Sequence, residues 1–150
     1  MKGNFLKTSG EAWHTIPLRL AVGSVFIGHG AQKLFGWFGG HGLQATTEAF
    51  SHMGFPPVMA TLAGCGEFFG GLLILLGLFT RLGSLAVAVV MLVAITKVHW
   101  GHFFMPHGME YALTMFLVAI SLLISGGGAL SMDCCLGKKL GCCKHGDATS

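Results

Sequence analysis

Apolar residues in this chain fall into four long runs, not into the short alternating stretches that mark strands. The first covers residues 16–38 and is interrupted by Arg19, His29 and Lys33. The second, 58–79, carries Glu67 as its one charged residue deep inside. The third, 82–100, has Lys97 near its end, and the fourth, about 110–130, has no charge in its interior. Each run approaches the ~20 residues that a helix needs to cross a bilayer core at about 1.5 Å per residue. Prolines stand where helices begin or break: Pro17 suits a first turn, Pro56 and Pro57 precede the second run, and Pro106 separates the third from the fourth. Residues 39–55, between the first two runs, are enough for a short surface helix. The pattern predicts an all-α integral membrane four-helix bundle over residues 1–133, followed by a tail, 134–150, containing Cys and Lys.

Composition narrows the class. Hydrophobic residues make up 53% of the chain and charged ones 10%, against roughly 25% charged in an ordinary globular protein. That is too little charge to coat a water-facing surface, and it excludes a soluble enzyme, a disordered tail protein and a nucleic-acid binder. The 24 glycines would be costly in soluble helices, but they suit membrane helices, whose backbones approach closely.

The distribution of charge predicts an orientation. Lys2, Lys7 and Arg19 lie at the start, Arg81 lies between the second and third runs, and Lys138, Lys139 and Lys144 follow the fourth. Loops 39–57 and 101–108 contain no Lys or Arg. Both termini are therefore expected in the cytoplasm. No convincing small-residue cleavage site follows the first apolar run, which is read as retained. The expected partner is the lipid bilayer, and nucleic acid is not expected.

A charged side chain at mid-bilayer costs at least about 2.5–3.5 kcal/mol, so each one needs a partner or a function. His29 and Lys33 are four residues apart and share a helix face. Counting inward at 1.5 Å per residue puts His29 about 13 Å deep, Lys33 about 7 Å deep and Glu67 about 13 Å deep from the same side. Lys97 and His99 end the third run at that surface, and Glu110 opens the fourth. All four runs thus send polar groups into one half of the membrane. His29, Lys33 and Glu67 are the candidate catalytic residues, and Lys97, His99 and Glu110 are candidate substrate-binding residues at the entrance. At the opposite face Arg19 and Asp133 reach similar depth and are read as a structural ion pair. Gly66 and Gly70, in GxxxG spacing, let another helix or a ligand come close to Glu67, and Ser24 with Gly28 offers a similar small face on the first helix.

In order and spacing these pieces resemble the DoxX family of small four-helix membrane proteins, over about residues 18–133. The resemblance rests on Arg19-Leu20, on His29-Gly30 with Lys33-Leu34-Phe35, and on Glu67 followed by Gly70-Gly71-Leu72-Leu73. It continues through Leu76-Gly77-Leu78-Phe79-Thr80-Arg81, Ala94 with His99, Glu110, and Gly126 to Gly128 with Ser131 and Asp133. It implies a bacterial or archaeal inner-membrane protein associated with redox chemistry, since the family includes the DoxD-type subunit of a thiosulfate:quinone oxidoreductase.

Other clusters carry weaker signals. His99, His102 and His107, with Met105, Met109 and Glu110, offer copper or zinc ligands, and His41 and His52 could join them. No standard ligand spacing is matched, and His102 and His107 stand as the metal candidates. The pairs Cys134-Cys135 and Cys142-Cys143 match no zinc or iron–sulfur spacing. The tail has two readings, a flexible juxtamembrane segment or one that binds metal or a partner. Cys65 is read as a small packed hydrophobe. No nucleotide, nucleophile-elbow or haem-attachment motif occurs. Two functions follow. One is a subunit of a quinone-linked redox system, its polar site taking a quinone head group or a small anion such as thiosulfate, with other membrane or periplasmic redox subunits as partners. The other is a non-catalytic scaffold in a larger membrane complex, in which Lys33–Glu67 and Arg19–Asp133 are struts.

Overall fold

A computed structural model describes residues 12–98, 100, 103, 104 and 109–139. Among these described residues six α-helices follow in order: α1 (Thr15–Phe35), α2 (Gly42–His52), α3 (Pro57–Leu76), α4 (Thr80–Lys97), α5 (Glu110–Ser125) and α6 (Met132–Lys139). A single 3₁₀ turn, Trp37–Gly39, separates α1 from α2. Each apolar run holds one long helix, and the helix stops short of the run's C-terminal end. Glycine sets the stops: Gly36 ends α1 and Gly77 ends α3, both in the left-handed region at φ 73° and 66°, where a Cβ would be strained. Hydrophobicity continues past these points, whereas helical geometry does not.

The long helices α1, α3, α4 and α5 alternate in direction, since the start of α1 meets the end of α3 and the loop after α5. Helix α3 is central. It packs intimately on α1 and closely on α4, α4 packs on α5, and α1 meets α5 only lightly. Val22, Phe26, Ile74, Val87 and Leu122 fill the interior. Small residues bring α1 against α3. A Cβ at Gly30 would lie 2.4 Å from the Phe68 backbone nitrogen, and one at Gly71 would lie 2.8 Å from that of Ile27. On the other side of α3, the GxxxG face receives α4: a Cβ at Gly66 would lie 3.3 Å from Val90, and one at Gly70 3.1 Å from the Gly83 carbonyl. The Ser24–Gly28 face of α1 is unused by the bundle; Gly28 has nothing within 4 Å of its Cβ position, and the Ser24 hydroxyl bonds back to the Leu20 carbonyl at 2.7 Å. Helix α2 lies against α1 and α3 at the end of the bundle where α1 finishes.

Two helices, Pro57–Leu76 and Thr80–Lys97, are long and apolar enough to cross a membrane. Helix α5 is apolar but has only 16 residues, and α1 carries Arg19 and Lys33 within its length.

Candidate functional site

Polar groups gather at the two ends of the bundle. At the glycine-rich end, Arg19 rises from the first turns of α1 and is buried. Its guanidinium donates to the carbonyls of Ile74 (3.1 Å) and Leu75 (3.1 Å) at the end of α3, and to those of Gly127 (3.0 Å) and Ala129 (3.2 Å) after α5. A helix end leaves carbonyls without intrahelical donors, and Arg19 supplies donors both to the end of α3 and to the loop after α5. Thr15 adds a bond to the Gly127 carbonyl at 3.0 Å. Glycine is required where the chain passes this node. A Cβ at Gly77 would lie 2.5 Å from the Arg19 Nη2, and one at Gly128 would lie 2.1 Å from the Thr15 hydroxyl.

Asp133, also buried, accepts from the backbone N–H groups of Phe79 (2.7 Å) and Thr80 (2.9 Å) and from the Thr80 hydroxyl (2.9 Å). It therefore caps α4 from the far end of the chain and holds Phe79 in the left-handed region at φ 45°. The expected Arg19–Asp133 ion pair takes a different form. Both residues lie at this end, but each is bonded to backbone, because glycine turns and helix ends bring bare carbonyls and N–H groups nearer than either side chain is to the other.

At the opposite end, the Lys33 ammonium on α1 bonds to Glu67 Oε1 on α3. Glu67 is 1% exposed and Lys33 30%. The second carboxylate oxygen, Oε2, is buried and has no hydrogen-bond partner among the described residues. The Thr46 hydroxyl on α2 bonds to the Lys33 carbonyl at 3.3 Å, tying the surface helix to this part of α1. His29 is exposed on α1, and its ring lies against that of Tyr111 on α5, centroids 6.3 Å apart and planes tilted by 60°. A buried carboxylate with a free acceptor, one cation and two polar rings can hold and orient a hydrogen-bonding ring or pass a proton.

The structure therefore brings together Lys33 and Glu67, leaves His29 one turn before Lys33 on α1, and sets Tyr111, which sequence reasoning missed, against His29. Its signal was available, since it is the chain's one tyrosine and follows Glu110 at the start of the fourth run. Glu110 is half-buried at the first position of α5, and its N–H donates to the Phe103 carbonyl at 3.1 Å. Lys97 ends α4 and is exposed. His99, His102, His107 and Met105 lie outside the described residues, as do Cys142 and Cys143. Among the described residues no three of His, Cys, Asp and Glu gather to hold a metal. His41 and His52 are exposed at the two ends of α2. Cys65 is half-buried on α3, while Cys134 is buried and Cys135 exposed on α6.

Among relatives, the chain is 31% identical over 119 residues to "Putative oxidoreductase CatD" of Bacillus subtilis, covering 79% of this chain and 84% of that one. It is 34% identical over 145 residues to an uncharacterized membrane protein of Mycobacterium tuberculosis, covering 85% of this chain and 84% of the relative. An uncharacterized protein of Haemophilus influenzae is 34% identical over 125 residues, covering 77% and 85%. No solved structure gives a significant match. The DoxX family model matches residues 14–100, a stretch that holds Arg19, His29, Lys33, Glu67 and the Gly77–Thr80 turn, and the chain belongs to the DoxX family.

Proposed function

We propose that this chain is a four-span inner-membrane subunit of a quinone-linked redox system, and that the Lys33–Glu67 end of its bundle binds a quinone-type head group. The observation that carries the reading is Glu67. Its carboxylate is buried, one oxygen is bonded to Lys33, and the other has no partner among the described residues. Native structures rarely leave a buried acceptor unmet, because doing so costs about 1–3 kcal/mol. The neighbouring rings of His29 and Tyr111 suit a flat, polar-edged ligand. The first relative's name, which calls it an oxidoreductase, is in keeping with this reading.

The bilayer belongs to the proposal because of what the helices expose. Leu62, Phe69, Val89 and Leu117 are each more than half exposed along the flanks of α3, α4 and α5. Lipid is the solvent in which such a surface is stable. The glycine-rich end, with Arg19 and Arg81, faces the cytoplasm, and the Glu67 end faces outward. A single cysteine at Gln44, in a background lacking the native cysteines, is expected to react with an impermeant thiol reagent on spheroplasts, and one at Ser150 is not. Labelling of Ser150 alone would reverse the orientation.

The site is tested by extracting quinones from the purified protein. The unaltered chain is expected to retain quinone well above the level of lipid carry-over, and the double variant Glu67→Gln with Lys33→Met is expected to assemble and retain none beyond that level. Equal retention by both would remove the site. The second reading, an accessory subunit without chemistry, is favoured by the lack of any haem or nucleotide motif in the sequence. It requires the double variant to sustain the activity of the membranes fully.

A further inference from the structure

We infer that the site holds the reduced, hydroxyl-bearing form of its ligand, a hydroquinone, in preference to the oxidised quinone or a small anion. The inference rests on the quinone-site reading above and sharpens its ligand. Glu67 in its ion pair with Lys33 is a carboxylate, and a carboxylate only accepts hydrogen bonds. The unmet valence among the described residues is therefore an acceptor, Glu67 Oε2. A quinone carbonyl is also only an acceptor and leaves Oε2 unmet. A small anion such as thiosulfate meets a negative oxygen, and Lys33, its paired cation among the described residues, is already engaged. A phenolic O–H donates, and it satisfies Oε2 with a charge-assisted bond, which is stronger than a neutral one.

The fold supplies an approach. Oε2 is closed off from solvent, so a ligand reaches it by parting side chains between helices. The seam between α1 and α5 is looser than those of α3 with α1 and with α4. His29 and Tyr111 stand on its two sides with their rings against each other. A hydroquinone entering there keeps its ring in contact with apolar and aromatic groups while one hydroxyl reaches Oε2. Its distal hydroxyl stays near His29, which can accept or donate.

The test compares decylubiquinol with decylubiquinone on the purified full chain in phosphatidylcholine nanodiscs under argon. We expect the quinol to bind at least about tenfold more tightly. A tenfold preference for the reduced form also raises the midpoint potential of the bound couple by about 30 mV relative to the free couple. That second reading needs no variant. In Glu67→Gln the amide offers an N–H to a carbonyl, so the preference is expected to fall below about twofold or to reverse. Quinone bound as tightly as quinol, or a midpoint that does not rise, overturns the inference and leaves the quinone site in place. Displacement of the bound quinol by thiosulfate at equal concentration also overturns it. If neither decylubiquinol nor decylubiquinone binds, the quinone-site reading falls, and the inference with it.

Discussion

The two polar ends of this bundle solve the same problem in opposite ways. At the glycine-rich end the buried charges are answered by backbone: Arg19 donates to four carbonyls, and Asp133 accepts from two N–H groups and one hydroxyl. Ser131 completes the turn by donating to the Gly128 carbonyl and accepting from the Cys134 N–H. At the other end a buried carboxylate is bonded through one oxygen, and the other has no partner among the described residues. A saturated network fixes chain segments to one another, and such a network is worth most when every member is satisfied. A buried charge with unused valence stabilises nothing by that valence, so its presence asks for a ligand. The first end holds the helices together, and the second is the one that the proposed function assigns to a ligand.

The sharpest way to break this contrast is Arg19→Ala. It strips donors from four carbonyls beside two helix ends, and the expected loss is about 3–5 kcal/mol, seen as a large drop in Tm in detergent. A variant as stable as the parent would mean that the glycine-rich end does not hold the bundle. Asp133→Ala is expected to cost about 2–4 kcal/mol by uncapping α4. Amide hydrogen exchange should accelerate at residues 79–83 ahead of the rest of α4. Gly30→Ala drives a Cβ into the Phe68 backbone, which cannot yield as a side chain can, and about 1–3 kcal/mol is expected from the overpacking.

Glu67→Gln is predicted to be milder for stability, about 1–2 kcal/mol, because Lys33 is partly exposed and can turn toward water. Adding Lys33→Met should return most of that stability without returning ligand binding. Recovery of both together would make the pair a strut and erase the difference between the two ends. Gly28→Ala is the control: its Cβ meets nothing, so the change in Tm should correspond to no more than about 0.5 kcal/mol.

Much of this was legible before any coordinates. Where helices lie follows from how apolar residues cluster, and which helix ends share a side follows from alternating direction. Both are properties of residues counted along a chain. Depth is also a count, at 1.5 Å per residue, and for that reason His29, Lys33 and Glu67 could be placed in one half of the membrane from three positions on two helices. Rotation about the helix axis is different, because a step of one residue turns a side chain by about 100° and only the neighbouring helix decides which face turns inward. Hence Ser24 and Gly28 looked like a packing face, while α3 in fact sits on Gly23 and Gly30. Tyr111 gained its place only when α5 set it beside His29. Arg19 and Asp133 were matched by charge and depth, yet a hydrogen bond is decided over tenths of an ångström, and the carbonyls and N–H groups at the ends of α3, α4 and α5 were closer. The sequence by itself determined the four long helices, their alternation and the half of the bundle in which the charged groups lie, but not α6, which runs into what read as a tail. Tertiary structure decided which faces meet and which oxygen of Glu67 stays open, since those depend on azimuth and contact distance, which the count of residues along a helix does not carry.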